Sequence, residues 1–102
     1  MKFENWLFGK NGALFRAAAR GKLDLARELV SLGADVNIAS NAGYTPLHRA
    51  AENGHADLVR FLLEAGANPT AESRDRKTPL TLATDGGHAD VAAILRRRIA
   101  RP

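Results

Sequence analysis

The sequence repeats itself with a step of 33 residues. Residues 45–67 read TPLHRAAENGHADLVRFLLEAGA, and residues 78–100 read TPLTLATDGGHADVAAILRRRIA. One step back, residues 12–34 read GALFRAAARGKLDLARELVSLGA. Leu14, Leu47 and Leu80 fall in register, as do Ala17, Ala50 and Ala83, Gly21, Gly54 and Gly87, Asp24, Asp57 and Asp90, and Leu29, Leu62 and Leu95. A unit this short cannot close a core alone. Stacked copies can, because each buries a face on its neighbours.

Each unit reads as two short helices. Thr45 and Thr78 are expected N-caps, with Pro46 and Pro79 at the first helical position, where a missing N–H costs nothing. Gly54 and Gly87 can take the positive φ that ends this helix. The second helix follows at once. In the middle unit it is expected over residues 56–65, with Leu58, Phe61, Leu62 and Ala65 forming one apolar stripe. Gly66 ends it. Asp24, Asp57 and Asp90 sit in its first turn, where a carboxylate is favourable to the helix dipole.

The stretch GYTPLHRAAENGHADLVRFLLEAGAN resembles an ankyrin repeat, with the T-P-L-H-x-A-A, G-H and L-L-x-x-G-A landmarks in register. The resemblance covers residue 11 to the C-terminus. It implies an all-α fold: an ankyrin solenoid of three stacked helix-turn-helix units with short hairpin-like loops. A short N-terminal helix is added over residues 1–10. The expected divisions are an N-capping repeat (11–40), an internal repeat (41–73) and a C-capping repeat (74–102). The resemblance also gives the TPLH and GH histidines structural roles, held by threonine and by loop backbone.

Departures from the pattern carry their own expectations. Asn11 is the expected N-cap of a first unit that lacks Thr-Pro. Arg76 stands where the middle unit has Gly43. A positive φ costs more for arginine, so this loop is expected to differ in shape. Arg96, Arg97, Arg98 and Arg101 are expected to give the last unit a polar outer face.

Several functions are weighed against by composition. Of 102 residues none is cysteine, so no disulfide or thiolate metal site exists. His48 and His55 lack the i, i+4 spacing of a helical zinc pair, and no third ligand clusters with them. No serine has an adjacent histidine and acid, and there is no phosphate loop. An enzyme is not expected, nor is a cofactor or metal. No apolar run approaches a membrane span. A signal peptide is not expected either, because Glu4, Asn5 and Lys10 interrupt the N-terminal apolar stretch. A cytoplasmic location follows as an expectation.

The resemblance instead implies a non-catalytic protein-binding module, with contacts from the loop tips and first helices of a concave face. The positions concerned are Arg16, Ala19 and Arg20; Asn41, Ala42, Tyr44, Arg49, Glu52 and Asn53; and Arg74, Asp75, Lys77, Leu82 and Asp85. Tyr44 is the expected anchor, aromatic at a loop tip and not needed by the fold. With a formal charge of +4, a partner with an acidic patch is favoured. One alternative is binding of nucleic acid or an acidic surface through the C-terminal RRRIARP. No aromatics interleave with those arginines, which weighs against single-strand binding. Another is an engineered or self-associating scaffold. Phe3, Trp6 and Leu7, spaced i, i+3, i+4, are expected to cap the first unit. A monomer is expected, with Phe3, Trp6 and Phe8 as the route to weak self-association.

Overall fold

A computed structural model describes residues 9–100. The N-terminal helix expected over residues 1–10, with Phe3, Trp6 and Phe8, falls almost wholly outside the described residues. So does Arg101. Six helices follow one another: α1 (Lys10–Arg20), α2 (Leu23–Ser31), α3 (Pro46–Glu52), α4 (Ala56–Glu64), α5 (Pro79–Asp85) and α6 (Ala89–Ala100). No strand occurs among the described residues.

The helices pair as α1–α2, α3–α4 and α5–α6. The pairs stack so that α3 lies between α1 and α5, and α4 between α2 and α6. The 33-residue register explains the stack. Ala17, Ala50 and Ala83 are all buried where the first helices meet, and a methyl group lets the backbones approach. Leu29, Leu62 and Leu95 hold one layer between the second helices, with Leu58 and Val91 beside them. Leu62 and Leu95 are fully buried, each removing about 1.5–3 kcal/mol worth of apolar surface from water.

Helix starts follow local chemistry. The Thr45 hydroxyl accepts from the His48 N–H, and the Thr78 hydroxyl from the Thr81 N–H, with proline at the next position in each case. Asp24, Asp57 and Asp90 lie in the first turns of α2, α4 and α6. Asn11, however, is no cap. α1 begins at Lys10, two residues earlier than that cap would give, and the Asn11 side chain reaches across to accept the backbone N–H of Asp35 at 2.7 Å. A second asparagine makes a comparable tie. Asn37 Oδ1 accepts from the Asn68 N–H at 2.8 Å, and its Nδ2 donates to the Gly66 carbonyl at 3.1 Å. These bonds fasten the exits of the second helices to their neighbours.

Histidines supply further cross-links. His55 Nε2 bonds the Ala19 carbonyl at 3.1 Å, and His88 Nε2 the Glu52 carbonyl at 3.0 Å. Their partners are carbonyls in the last turns of α1 and α3, not loop backbone as expected. Each imidazole occupies the space over a glycine of the preceding unit: a Cβ on Gly54 would lie 2.6 Å from His88 Nδ1. Gly54 is therefore fixed twice, by its φ of 76° and by the ring above it.

Candidate functional site

Two loops rise between the helix pairs, residues 40–44 ahead of α3 and residues 73–77 ahead of α5. Each closes on itself in the same way. The Ser40 N–H donates to the Tyr44 carbonyl and the Ser73 N–H to the Lys77 carbonyl, both at 2.9 Å. The Gly43 N–H returns to Ser40, and the Arg76 N–H to Ser73. Arg76 adopts a φ of 67°, close to the 84° of Gly43. So the arginine loop keeps the shape of the glycine loop, contrary to the expectation that it would differ. What differs is its surroundings. A Cβ on Gly43 would meet the backbone of Ser73 and Arg74 at 3.0 Å. No described loop lies over Arg76 in that way.

The two loops are joined by one hydrogen bond, from the Arg74 N–H to the Ala42 carbonyl at 2.8 Å. His48 holds them from beneath. It is fully buried. Its Nδ1 accepts the Thr45 N–H at 3.1 Å and lies 2.9 Å from the Thr45 hydroxyl. That leaves Nε2 as the protonated nitrogen, donating to the Lys77 carbonyl at 2.8 Å. Burial holds the His48 pKa below its ordinary value. The nearby Arg49 charge acts in the same direction, while the bond to Lys77 opposes it. A neutral imidazole is what this bonding pattern needs.

Five of the anticipated residues come together. Asn41, Ala42, Tyr44, Arg74 and Asp75 line one shallow, open groove between the loop tips. Tyr44 is the correction among them. It is half-buried, with its ring centroid 5.2 Å from that of His48 and the Arg49 guanidinium 4.5 Å over its face. It is therefore part of the fold, and not the dispensable anchor expected. The Arg49 guanidinium also sits 5.5 Å over the Phe15 ring and binds Glu52 at 2.6 Å. Arg49 links the first two units as well as facing outward.

The other positions divide. Lys77 lies 3.9 Å from Asp85, and the Asp75 carboxylate accepts the Ser73 hydroxyl. The Asn53 amide is spent on the Ala19 and Arg49 carbonyls, both at 3.0 Å. Arg16 and Arg20 are exposed but border a different groove, on the far side of α1 with Ala13, Ala17, Lys22 and Leu25. Ala19 is half-buried. Leu82, expected to be exposed, is buried, with 9% of its surface left accessible. Arg76 is exposed beside Arg74. Sequence reasoning treated it as a departure in loop shape and missed the cation it adds to the loop tips.

The C-terminal arginines differ in exposure. Arg96 and Arg97 are exposed, but Arg98 turns inward and donates to the Leu63 carbonyl at the end of α4, at 3.1 Å. Among the described residues no three histidine, cysteine, aspartate or glutamate side chains group as a metal set, and no helix is long and apolar enough to cross a membrane.

The stacked pairs, the Thr-Pro caps and the histidine cross-links together describe one architecture, and a family comparison agrees: ankyrin repeats, in 3 copies, match residues 14–101. The chain belongs to the ankyrin repeat family. Ankyrin repeats are in general protein–protein interaction modules and typically non-catalytic. No curated protein matches this ankyrin chain closely enough to stand as a relative.

Proposed function

We propose that this ankyrin domain binds a protein partner bearing an acidic patch, through the loop tips and the exposed positions of α3 and α5. The observation that carries this reading is the charge left unspent there. Arg49 is matched by Glu52 and Lys77 by Asp85, while the exposed Asp75 carboxylate accepts the Ser73 hydroxyl and keeps its charge. Arg74 and Arg76 have no ion pair among the described residues, and both project from an exposed loop tip. Two cations beside an open groove, on a rigid hydrogen-bonded pair of loops, suit a carboxylate-bearing surface.

The test compares baits. Wild-type protein, Arg74→Glu and Arg97→Glu are used to capture partners from the native host, followed by mass spectrometry and binding with the purified candidate. A protein kept by wild type and Arg97→Glu but lost by Arg74→Glu supports the reading. One kept by Arg74→Glu and lost by Arg97→Glu places the interface on the second helices instead.

A further inference from the structure

The place between neighbouring second helices is finished differently at the two interfaces of the stack. Between α2 and α4, the Arg27 guanidinium lies 5.3 Å over the Phe61 ring. One step of 33 residues on, Arg60 and Ile94 hold those registers between α4 and α6. Isoleucine is smaller than phenylalanine and has no ring face to offer a guanidinium. Arg60 turns back onto its own helix instead, to Asp57 at 3.2 Å, with 57% and 80% of the two side chains exposed. An exposed pair of this kind is weak and yields to a better-placed anion. A groove of about 180 Å³ is left, lined by Arg60, Leu63, Glu64, Ile94, Arg97 and Arg98.

The charge changes at the same point. Three arginines face one glutamate in this groove. The corresponding registers between α2 and α4 carry one arginine, Arg27, and one glutamate, Glu64. Arg98 is held in position by its bond to the Leu63 carbonyl, which uses one of a guanidinium's five donors. Arg97 is exposed, and the half-buried Ile94 lies with the buried Leu63 at the base. The groove is therefore positive at its rim and apolar at its floor, and it lacks the ring that completes its counterpart.

Size and charge pattern select the occupant. Clefts that enclose a whole small molecule run to about 300–1,000 Å³; this groove takes a single side chain. Asp57, Glu64 and Asp90 are exposed along the same two helices, and they interrupt the continuous positive track that a nucleic-acid backbone follows. Guanidiniums around an apolar floor suit an aromatic ring with carboxylates beside it. The ring offers its face to a guanidinium, as Phe61 does to Arg27, and the carboxylates accept the forked donors.

We propose that the groove between α4 and α6 binds a short protein segment in which an aromatic side chain is flanked by acidic residues. The ring takes the place that Phe61 fills one unit earlier, and Arg60, Arg97 and Arg98 receive the carboxylates. This surface lies on the second helices, so the proposal stands independently of the loop-tip reading.

The experiment titrates the full, isotope-labelled chain with the blocked peptide Gly-Glu-Phe-Glu-Gly and follows backbone amide shifts by NMR. Saturable shifts are expected in residues 60–66 and 93–98, with residues 40–44 and 73–77 unmoved. Exchanging the peptide's phenylalanine for alanine, or both glutamates for glutamine, is expected to weaken binding about tenfold or more. Ile94→Phe returns the ring of the middle unit to the groove and is expected to abolish the shifts, with far-UV circular dichroism retained. Arg97→Glu is expected to weaken binding about tenfold or more, and Arg74→Glu to leave it unchanged. Shifts confined to the two loops, or none at millimolar peptide, overturn the proposal, as does wild-type binding by Ile94→Phe or by Arg97→Glu. Equal affinity for the peptide without a ring overturns it too. So does equal affinity for a thymidine trinucleotide, which would assign the groove to nucleic acid.

Discussion

Gly43 and Arg76 occupy the same place in two loops of the same shape, yet they should respond to substitution with opposite signs. Gly43→Ala puts a Cβ within 3.0 Å of the Ser73 and Arg74 backbone, at a φ of 84°. The left-handed conformation costs an L-residue about 1–2 kcal/mol. The obstacle is backbone, not the end of a flexible side chain, so the loops must separate. That weakens the bond from the Arg74 N–H to the Ala42 carbonyl, worth about 1 kcal/mol. The lower entropy of the unfolded alanine chain returns about 0.5–1 kcal/mol. The net expectation is about 1–2.5 kcal/mol of destabilisation. Arg76→Gly runs the other way. Relief of the left-handed backbone gains about 1–2 kcal/mol, against about 0.5–1 kcal/mol of added chain entropy. That leaves a change between nothing and about 1.5 kcal/mol in favour of the fold. Urea unfolding followed by far-UV circular dichroism measures both. A Gly43→Ala variant as stable as wild type, or an Arg76→Gly variant that is clearly less stable, would refute the account of the loop pair.

Two further predictions concern residues beneath the loops. His48 has a folded-state pKa below 6.5, so the unfolded chain takes up its proton first. Its stabilising contribution is complete above pH 6.5 and is lost as pH falls from there towards the folded value, at no more than about 1.4 kcal/mol per pH unit. His48→Thr, the residue found at the same register in the third unit, should flatten that part of the stability–pH curve; an unchanged slope would show that His48 is not its source. Tyr44→Ala should cost about 1–2 kcal/mol through lost ring and guanidinium packing. A melting temperature equal to wild type would restore the view of Tyr44 as a free surface residue.

What could be read from the sequence was whatever repeats locally. The Thr-Pro caps and the positive φ of Gly54 rest on chemistry within a few residues of each other, and the period is legible because each unit repeats such signals. The failures share a different cause. Whether a positive φ is tolerated at residue 76 depends on what lies over it, and Gly43 needs its hydrogen because another loop does lie there. Asn11 looked like a cap because its best-known local role is capping; its partner, Asp35, is 24 residues away. Tyr44 looked dispensable because Arg49 and His48 close on it only once the helix has formed. Leu82 shares a register with Arg16 and Arg49, but the shorter leucine stays buried where the arginines reach further out. Of the surface positions, those on the loop tips were legible as a group. The separation of Arg16 and Arg20 from them was not, because one register gives no sense of which groove each unit faces.

The claim that partners are received at the loop tips is tested most directly by amide hydrogen exchange on the complex. With a purified partner bound, added protection is expected in residues 40–44 and 73–77 and at the exposed side of α3 and α5, with α4 and α6 unchanged. Protection confined to α4 and α6, with the two loops exchanging as in the free protein, would contradict it.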